Sequence, residues 1–148
     1  MSSDLPRPAN SPLPKGPPPA PKLDARGLPV GYTLKPDWEV TPRDAKAKLH
    51  QPEATRPVLL DCRRPEEWAF NRIDGAVHIP MNEIEARLDE LDELTNNRQR
   101  PIIVQCHHGV RSLRVTATLR AHGFKDVVSL AGGIDLWSMD VDPSVPRY

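Results

Sequence analysis

The run Pro101-Ile102-Ile103-Val104-Gln105 limits the fold of this chain more than any other feature. Three consecutive β-branched residues with no polar alternation suit a strand covered on both faces. Such strands belong to parallel sheets, whose neighbours are joined by crossover helices. Val110, Leu113, Ala117 and Ala121 then recur at spacings of three, four and four, a helical period, and Gly123 supplies the stop.

The same alternation extends along the chain. Trp38-Glu39-Val40 reads as a short edge strand, followed by Thr41 as N-cap and Pro42 as the first-turn residue of a helix reaching about His50. Val58-Leu59-Leu60-Asp61-Cys62 is a second buried strand, and Ala76-Val77-His78 a further one. Ile84, Leu88, Leu91 and Leu94, set among acidic residues, predict an amphipathic helix. Asp126-Val127-Val128-Ser129-Leu130 adds a strand, and Gly132-Gly133 leads into a short helix around Ile134 to Trp137. Short apolar strands alternating with helices predict an α/β fold with a mainly parallel central sheet flanked by helices.

Residues 1–35 have a different texture. Pro6, Pro8, Pro12, Pro14, Pro17, Pro18, Pro19 and Pro21 crowd a segment with few large apolar side chains. It is expected to be a disordered or polyproline tail preceding a domain over residues 36–148. A solvated tail is the simplest reading, and a docking peptide for a protein partner the functional one. The tail carries Arg7, Lys15, Lys22, Arg26 and Lys35 against Asp4 and Asp24, while the whole chain has no net charge. The composition therefore supplies no general field for nucleic acid or anionic membrane. No run approaches a membrane span and the start lacks the apolar core of a signal peptide, so a cytoplasmic location is expected. The two cysteines, Cys62 and Cys106, are too few for a disulfide framework.

Cys106 stands where a buried strand passes into a helix, at the carboxyl end of the strand, where open α/β sheets bind ligands. The backbone N–H groups of that turn can converge on an anion, and a thiol so placed is expected largely as thiolate, the nucleophilic form. Arg111 and the imidazoles of His107 and His108 add donors or positive charge, and Gly109 removes a side chain from a tight turn. Asp61, ending its own strand, is expected to face the same pocket. Arg63 and Glu67, four apart, are expected to form a supporting ion pair.

The loop Cys106-His107-His108-Gly109-Val110-Arg111-Ser112 resembles the active-site loop of the rhodanese family of sulfurtransferases. Three other segments resemble that family's motifs in the family's order: Asp61-Cys62-Arg63-Arg64-Pro65-Glu66-Glu67-Trp68, Ile73-Asp74-Gly75-Ala76-Val77-His78-Ile79-Pro80, and Leu130-Ala131-Gly132-Gly133-Ile134-Asp135-Leu136-Trp137. The resemblance covers about residues 37–139 and implies a three-layer fold. It also implies a Cys106 nucleophile that takes a sulfane sulfur from a donor such as thiosulfate and passes it to a thiol or cyanide. The N–H groups from His107 to Ser112, Val110 included, would cradle the anion, and Arg111 would orient the loop or the donor. Four residues separate Cys106 from Arg111, whereas the related cell-cycle phosphatases and arsenate reductases have five, and Gln105 replaces the histidine that commonly precedes a phosphatase cysteine. Both features favour sulfur over phosphate.

No cofactor is called for. Adjacent Cys106, His107 and His108 lack metal-ligand spacing, so no metal is expected; the histidines are placed at the pocket mouth. His78 reads as a packed residue, and His50 and His122 as helix-end residues. Cys62, where the family commonly has valine, is taken as packing rather than a resolving thiol. The alternative to an enzyme is an interaction or redox-sensing module on the same fold.

Overall fold

In the computed structural model, which describes residues 16–148, five strands form one wholly parallel sheet in the order β1-β5-β4-β2-β3. They are β1 (Glu39–Val40), β2 (Val58–Asp61), β3 (Val77–His78), β4 (Ile102–Gln105) and β5 (Val127–Leu130). The helices are α1 (Pro42–Leu49), α2 (Pro65–Phe70), α3 (Leu88–Leu94), α4 (Val110–Ala121) and α5 (Gly133–Asp140). Strand alternation divides the core between the two faces of the sheet. Leu60, Ile102 and Val104 pack with Leu91, Val115 and Leu119 of α3 and α4. Leu59, Ile103 and Leu130 pack with Ala45, Ile134 and Trp137 of α1 and α5. The result is the expected three-layer α/β arrangement. No helix among the described residues is long and apolar enough to cross a membrane.

Strand order sets where the loops part. The chain leaves β2 toward β3 on one side and leaves β4 toward β5 on the other, although β2 and β4 are hydrogen-bonded neighbours. A crevice opens at the carboxyl ends of two such strands. In register there, Asp61 lies beside Gln105, and Cys62 and Cys106 follow immediately.

Several local expectations hold closely. Thr41 caps α1 by accepting the Asp44 N–H, with Pro42 at the first helical position. His50 and His122 are the C-cap residues of α1 and α4. His78 is packed parallel on Trp68 and donates from Nε2 to the Arg63 carbonyl.

Three expectations need correction. The segment from Ile84 to Leu94 is not one helix: two 3-10 turns, Met81–Glu83 and Glu85–Arg87, precede α3. Its apolar residues average about 3.3 per turn, tighter than an α-helix and close to 3-10 winding. Secondly, α4 turns a different face inward. Ser112, Val115, Thr116 and Leu119 are buried, whereas Val110, Ala117 and Ala121 are exposed. The inner face is small and hydroxylated because it covers the cysteine: Thr116 donates to the Ser112 carbonyl, and the Ser112 and Ser129 hydroxyls meet at 2.7 Å.

Thirdly, the arm before residue 36 is not a free tail over its described part. Leu28 is wholly buried against Ala131 and Leu136 of the domain, with Leu23, Tyr32 and Leu34 packed around it. Asp24 closes the turn by accepting the N–H groups of Arg26 and Leu28. Arg43 on α1 binds both Asp140 on α5 and the Ala25 carbonyl. Those leucines offset the ordering entropy that the prolines alone could not. The proline-rich stretch of residues 1–15, with Pro6, Pro8, Pro12 and Pro14, lies outside the described residues.

Candidate active site

Cys106 follows the last residue of β4, and its sulfur is the acceptor at the centre of the turn. The Gly109 N–H donates to Sγ at 3.1 Å and the Ser112 N–H at 3.3 Å, while Ser112 Oγ lies 3.3 Å away. Gly109 makes the turn possible: its φ is +104°, and a Cβ there would stand 3.3 Å from the Gly132 nitrogen. The other side of the turn rests on the start of α5. Ile134 N–H donates to the Cys106 carbonyl (2.8 Å) and Asp135 N–H to the His107 carbonyl (3.2 Å). A Cβ on Gly133 would fall 2.4 Å from both carbonyl oxygens, so only glycine admits this contact.

Arg111 is held by Glu67 rather than projecting freely. The fork is two-pronged, Nη1 to Oε1 at 2.6 Å and Nη2 to Oε2 at 3.0 Å. Glu67 also accepts the Tyr148 hydroxyl (2.5 Å) and the Arg64 N–H (3.2 Å). Burial alone would raise the Glu67 carboxyl, but the hydrogen bonds from Arg111 and Tyr148 outweigh it and hold the group at about 2. Burial likewise opposes the charge on Arg111, and the bond to Glu67 more than restores it.

The expected Arg63–Glu67 pair does not form. Arg63 is wholly buried and turns back to Asp61, with Nε and Nη2 on the carboxylate at 2.7–3.2 Å. Its remaining N–H groups reach Asn71 Oδ1, the Asn71 carbonyl and Tyr148 Oη, so all five donors are used. The four-residue spacing misled because Arg63 precedes α2 and is not on its surface, and because Asp61 is anchored beneath it. Asp61 and Glu67 therefore serve two separate buried pairs, which Tyr148 joins.

The two histidines differ. His107 is half-buried and stacked on Tyr148 at 3.9 Å. Burial, then the neighbouring His108, lowers its pKa to about 4, so it is neutral at neutral pH and adds no positive charge there. Its Nε2 faces the Tyr148 carbonyl at 3.0 Å, which requires the proton on Nε2. His108 is exposed and stands 3.5 Å from Asp135. His107, His108 and Asp135 bring donor atoms within 4.8 Å of one another. Arg147, however, engages both Asp135 carboxylate oxygens, at 2.7 and 3.4 Å, and a cation would have to displace it.

Cys62 is buried in the core beside this crevice, and burial, with the nearby Cys106, pushes its thiol well above the ordinary range. It is a packing residue. Val110, on the expected loop, is 64% exposed at its outer edge. A groove of about 280 Å³ runs beside His108, between Pro18 and Pro21 of the arm and Gly132, Asp135 and Arg147 of the domain. A larger cavity, about 350 Å³, lies at the opposite end of the sheet around Pro57 and Val58.

Four residues of the site carried no signal in local spacing: Tyr148, Asn71, Asp135 and Ser129. Their contacts to the loop or to Arg63 are made by chain folding, as with Tyr148, 81 residues from Glu67.

The model of the rhodanese-like domain family matches residues 41–140, a span that includes Asp61, Arg63, Glu67, the loop from Cys106 to Ser112 and Asp135 but not Arg147 or Tyr148. The chain belongs to the rhodanese-like domain family. Among curated proteins, this rhodanese-like domain is 35% identical over 100 residues to the thiosulfate sulfurtransferase GlpE of Pseudomonas fluorescens, covering 66% of this chain and 82% of that one. It is 34% identical over 109 residues to the probable adenylyltransferase/sulfurtransferase MoeZ of Mycobacterium tuberculosis. That match takes in 74% of this chain but only 26% of MoeZ, and the chain similarly spans 28% of the uba4 protein of Ogataea parapolymorpha. Among solved structures, a rhodanese-like domain protein of Staphylococcus aureus superposes with a TM-score of 0.61 at 29% identity, over 75% of this chain and 98% of that one.

Proposed function

We propose that this protein is a sulfurtransferase that carries sulfane sulfur as a persulfide on Cys106. The observation that carries the proposal is the pair of N–H donors, from Gly109 and Ser112, aimed at Cys106 Sγ within a loop of only four residues before Arg111. Two N–H donors converge on one sulfur, and a ring this short suits a sulfur atom better than a phosphoryl group. Similarity to GlpE, named a thiosulfate sulfurtransferase, supports the same chemistry.

The reaction has two halves. Cys106 thiolate attacks the outer sulfur of thiosulfate, the S–S bond of the donor breaks, and sulfite leaves with the bonding pair. The enzyme then holds Cys106–S–S⁻. An acceptor thiolate or cyanide attacks the outer sulfur, and Cys106 thiolate departs with the electron pair, yielding an acceptor persulfide or thiocyanate. Splitting the transfer this way is covalent catalysis. The Gly109 and Ser112 N–H groups act in both halves, because each begins or ends with negative charge on Sγ. Arg111, fixed by Glu67, positions the last turn of the cradle. Asp61 and Arg63 support the loop without touching the sulfur.

Turnover of thiosulfate with cyanide or a small dithiol, measured for wild type and Cys106→Ser, tests the proposal. Thiocyanate or acceptor persulfide formed by the wild type alone is expected. No turnover with any acceptor, alongside retained hydrolysis of an aryl phosphate, would instead favour a phosphatase.

A further inference from the structure

Tyr148 reaches the cysteine loop at both of its ends, directly at the start and through Glu67 at the far end. At the start, its ring stacks on His107, nearly parallel at 6°, and its carbonyl accepts the His107 Nε2–H. At the far end, its hydroxyl donates to the same Glu67 carboxylate that grips Arg111. The hydroxyl also accepts from Arg63, so one phenol links the Asp61–Arg63 and Glu67–Arg111 pairs. At 8% exposure the side chain is held inside the protein, with Phe70 edge-on to its ring.

The residues before it are tied down in turn. Ser138 donates to the Val145 carbonyl at 2.6 Å, Asn71 to the Pro146 carbonyl at 2.6 Å, and Arg147 to Asp135 at 2.7 Å. Two of these anchors lead back to the site. Asn71 also binds Arg63, and Asp135 donates its own N–H to the His107 carbonyl. Val145 to Tyr148 thus form a clasp fastened to α5 through Ser138 and Asp135 and to the buried Arg63 network through Asn71. Val145 and Tyr148 also join the core between the sheet and α1 and α5.

We propose that Tyr148 is a positioning residue for Cys106, holding His107 through its ring and carbonyl and Arg111 through its hydroxyl on Glu67. Its function in sulfur transfer rests on the persulfide chemistry proposed above, but its hold on the loop does not. The sulfur cradle depends on two N–H groups keeping their aim; Gly109 lies between the two points that Tyr148 fixes, and Ser112 directly follows the second. Small misplacements in such a cradle cost rate without costing substrate affinity.

The test is amide hydrogen exchange on the full chain for wild type, Tyr148→Phe and Tyr148→Leu, with no donor present, followed by thiosulfate kinetics on the same proteins. In Tyr148→Leu, the amides of residues 107–112 are expected to exchange about tenfold faster while those of Ile103 and Val104 in β4 keep their protection. Both variants keep the main-chain carbonyl, and Tyr148→Phe keeps the ring as well. Tyr148→Phe should restore protection at His107 and His108 and leave Arg111 and Ser112 loosened. The kinetic counterpart is a fall in kcat for persulfide formation, largest for Tyr148→Leu, with KM for thiosulfate little changed.

Unchanged exchange at residues 107–112 in a folded Tyr148→Leu protein would overturn the inference. If that variant does not fold, unchanged exchange at Arg111 and Ser112 in Tyr148→Phe would do so. Loosened loop amides in a protein whose wild type forms no persulfide would leave the positioning intact and refute the sulfur chemistry instead.

Discussion

Glu67 on α2 and Arg111 on α4 are 44 residues apart and meet in a two-pronged ion pair with contacts of 2.6 and 3.0 Å. The Glu67 side chain is only 3% exposed, so its charge depends on its partners instead of on water. Removing the charge leaves Arg111 half-buried beside a neutral amide. Breaking such a pair from one side costs about 3–5 kcal/mol. Glu67→Gln keeps an acceptor for one prong and is expected at the lower end, roughly 3 kcal/mol by urea denaturation. A loss below about 1 kcal/mol, the value of a surface pair, would show that Glu67 is not what holds Arg111.

Two depressed pKa values set the direction of the acid response. His107 falls from 6.5 to about 4 and Glu67 from 4.5 to about 2 on folding. In each case the unfolded chain binds the proton first, so stability declines as pH falls. The His107 contribution is complete above pH 6.5 and is lost toward pH 4. The Glu67 contribution is complete above 4.5 and is lost toward 2. Urea midpoints should therefore decline below pH 6.5 and more steeply below 4.5. His107→Gln should flatten the upper part of that curve, and an unchanged slope between pH 6.5 and 4.5 in this variant would contradict the assignment.

The strands were legible in the sequence because burial on both faces leaves a pattern that needs no partner to read, as in Ile102, Ile103 and Val104. The cysteine loop was legible for a similar reason, since its donors come from consecutive residues. The inner face of α4 was not. Apolar periodicity picked Val110, Ala117 and Ala121, whereas the face covering Cys106 carries Ser112 and Thr116, chosen for hydrogen bonds. Arg63 was misassigned because local spacing offered Glu67, while the anchoring of Asp61 is visible only in three dimensions. Tyr148 has no local signature at all: its partners come from α2, from the cysteine loop and from the turn after β2.

Gly133 is where the loop lies closest to α5. A methyl group there would meet the Cys106 and His107 carbonyls at 2.4 Å, and the residue's φ of +62° is unfavourable for any other amino acid. Gly133→Ala is expected to destabilise the fold by roughly 2 kcal/mol or more, the conformational strain alone accounting for about 1–2. Thermal unfolding checks this, and a Tm within a degree of wild type would show that the loop yields freely.

Leu28 tests whether the arm is part of the folded unit. Its side chain is wholly buried against Ala131 and Leu136. Leu28→Ala should cost about 2–4 kcal/mol in urea denaturation. An arm merely resting on the surface would show almost no loss.

Gln105, the residue before Cys106, is wholly buried, and neither polar atom of its amide has a hydrogen-bond partner among the described residues. An unpaired buried amide costs about 1–3 kcal/mol. Gln105→Met keeps the side-chain length and removes the polar atoms, so it should be neutral or stabilising, with a Tm equal to or above that of wild type. A clear destabilisation would show that the amide is serving a partner.

Sulfur transfer through Cys106 requires a persulfide on that residue. Intact-mass spectrometry of the full chain after brief exposure to thiosulfate, followed by peptide mapping, tests it most directly. A wild-type adduct with the mass of one sulfur atom is expected, located on Cys106, removed by cyanide, and absent from Cys106→Ser. A wild type that takes up no sulfur, or an adduct that persists in Cys106→Ser, would contradict it.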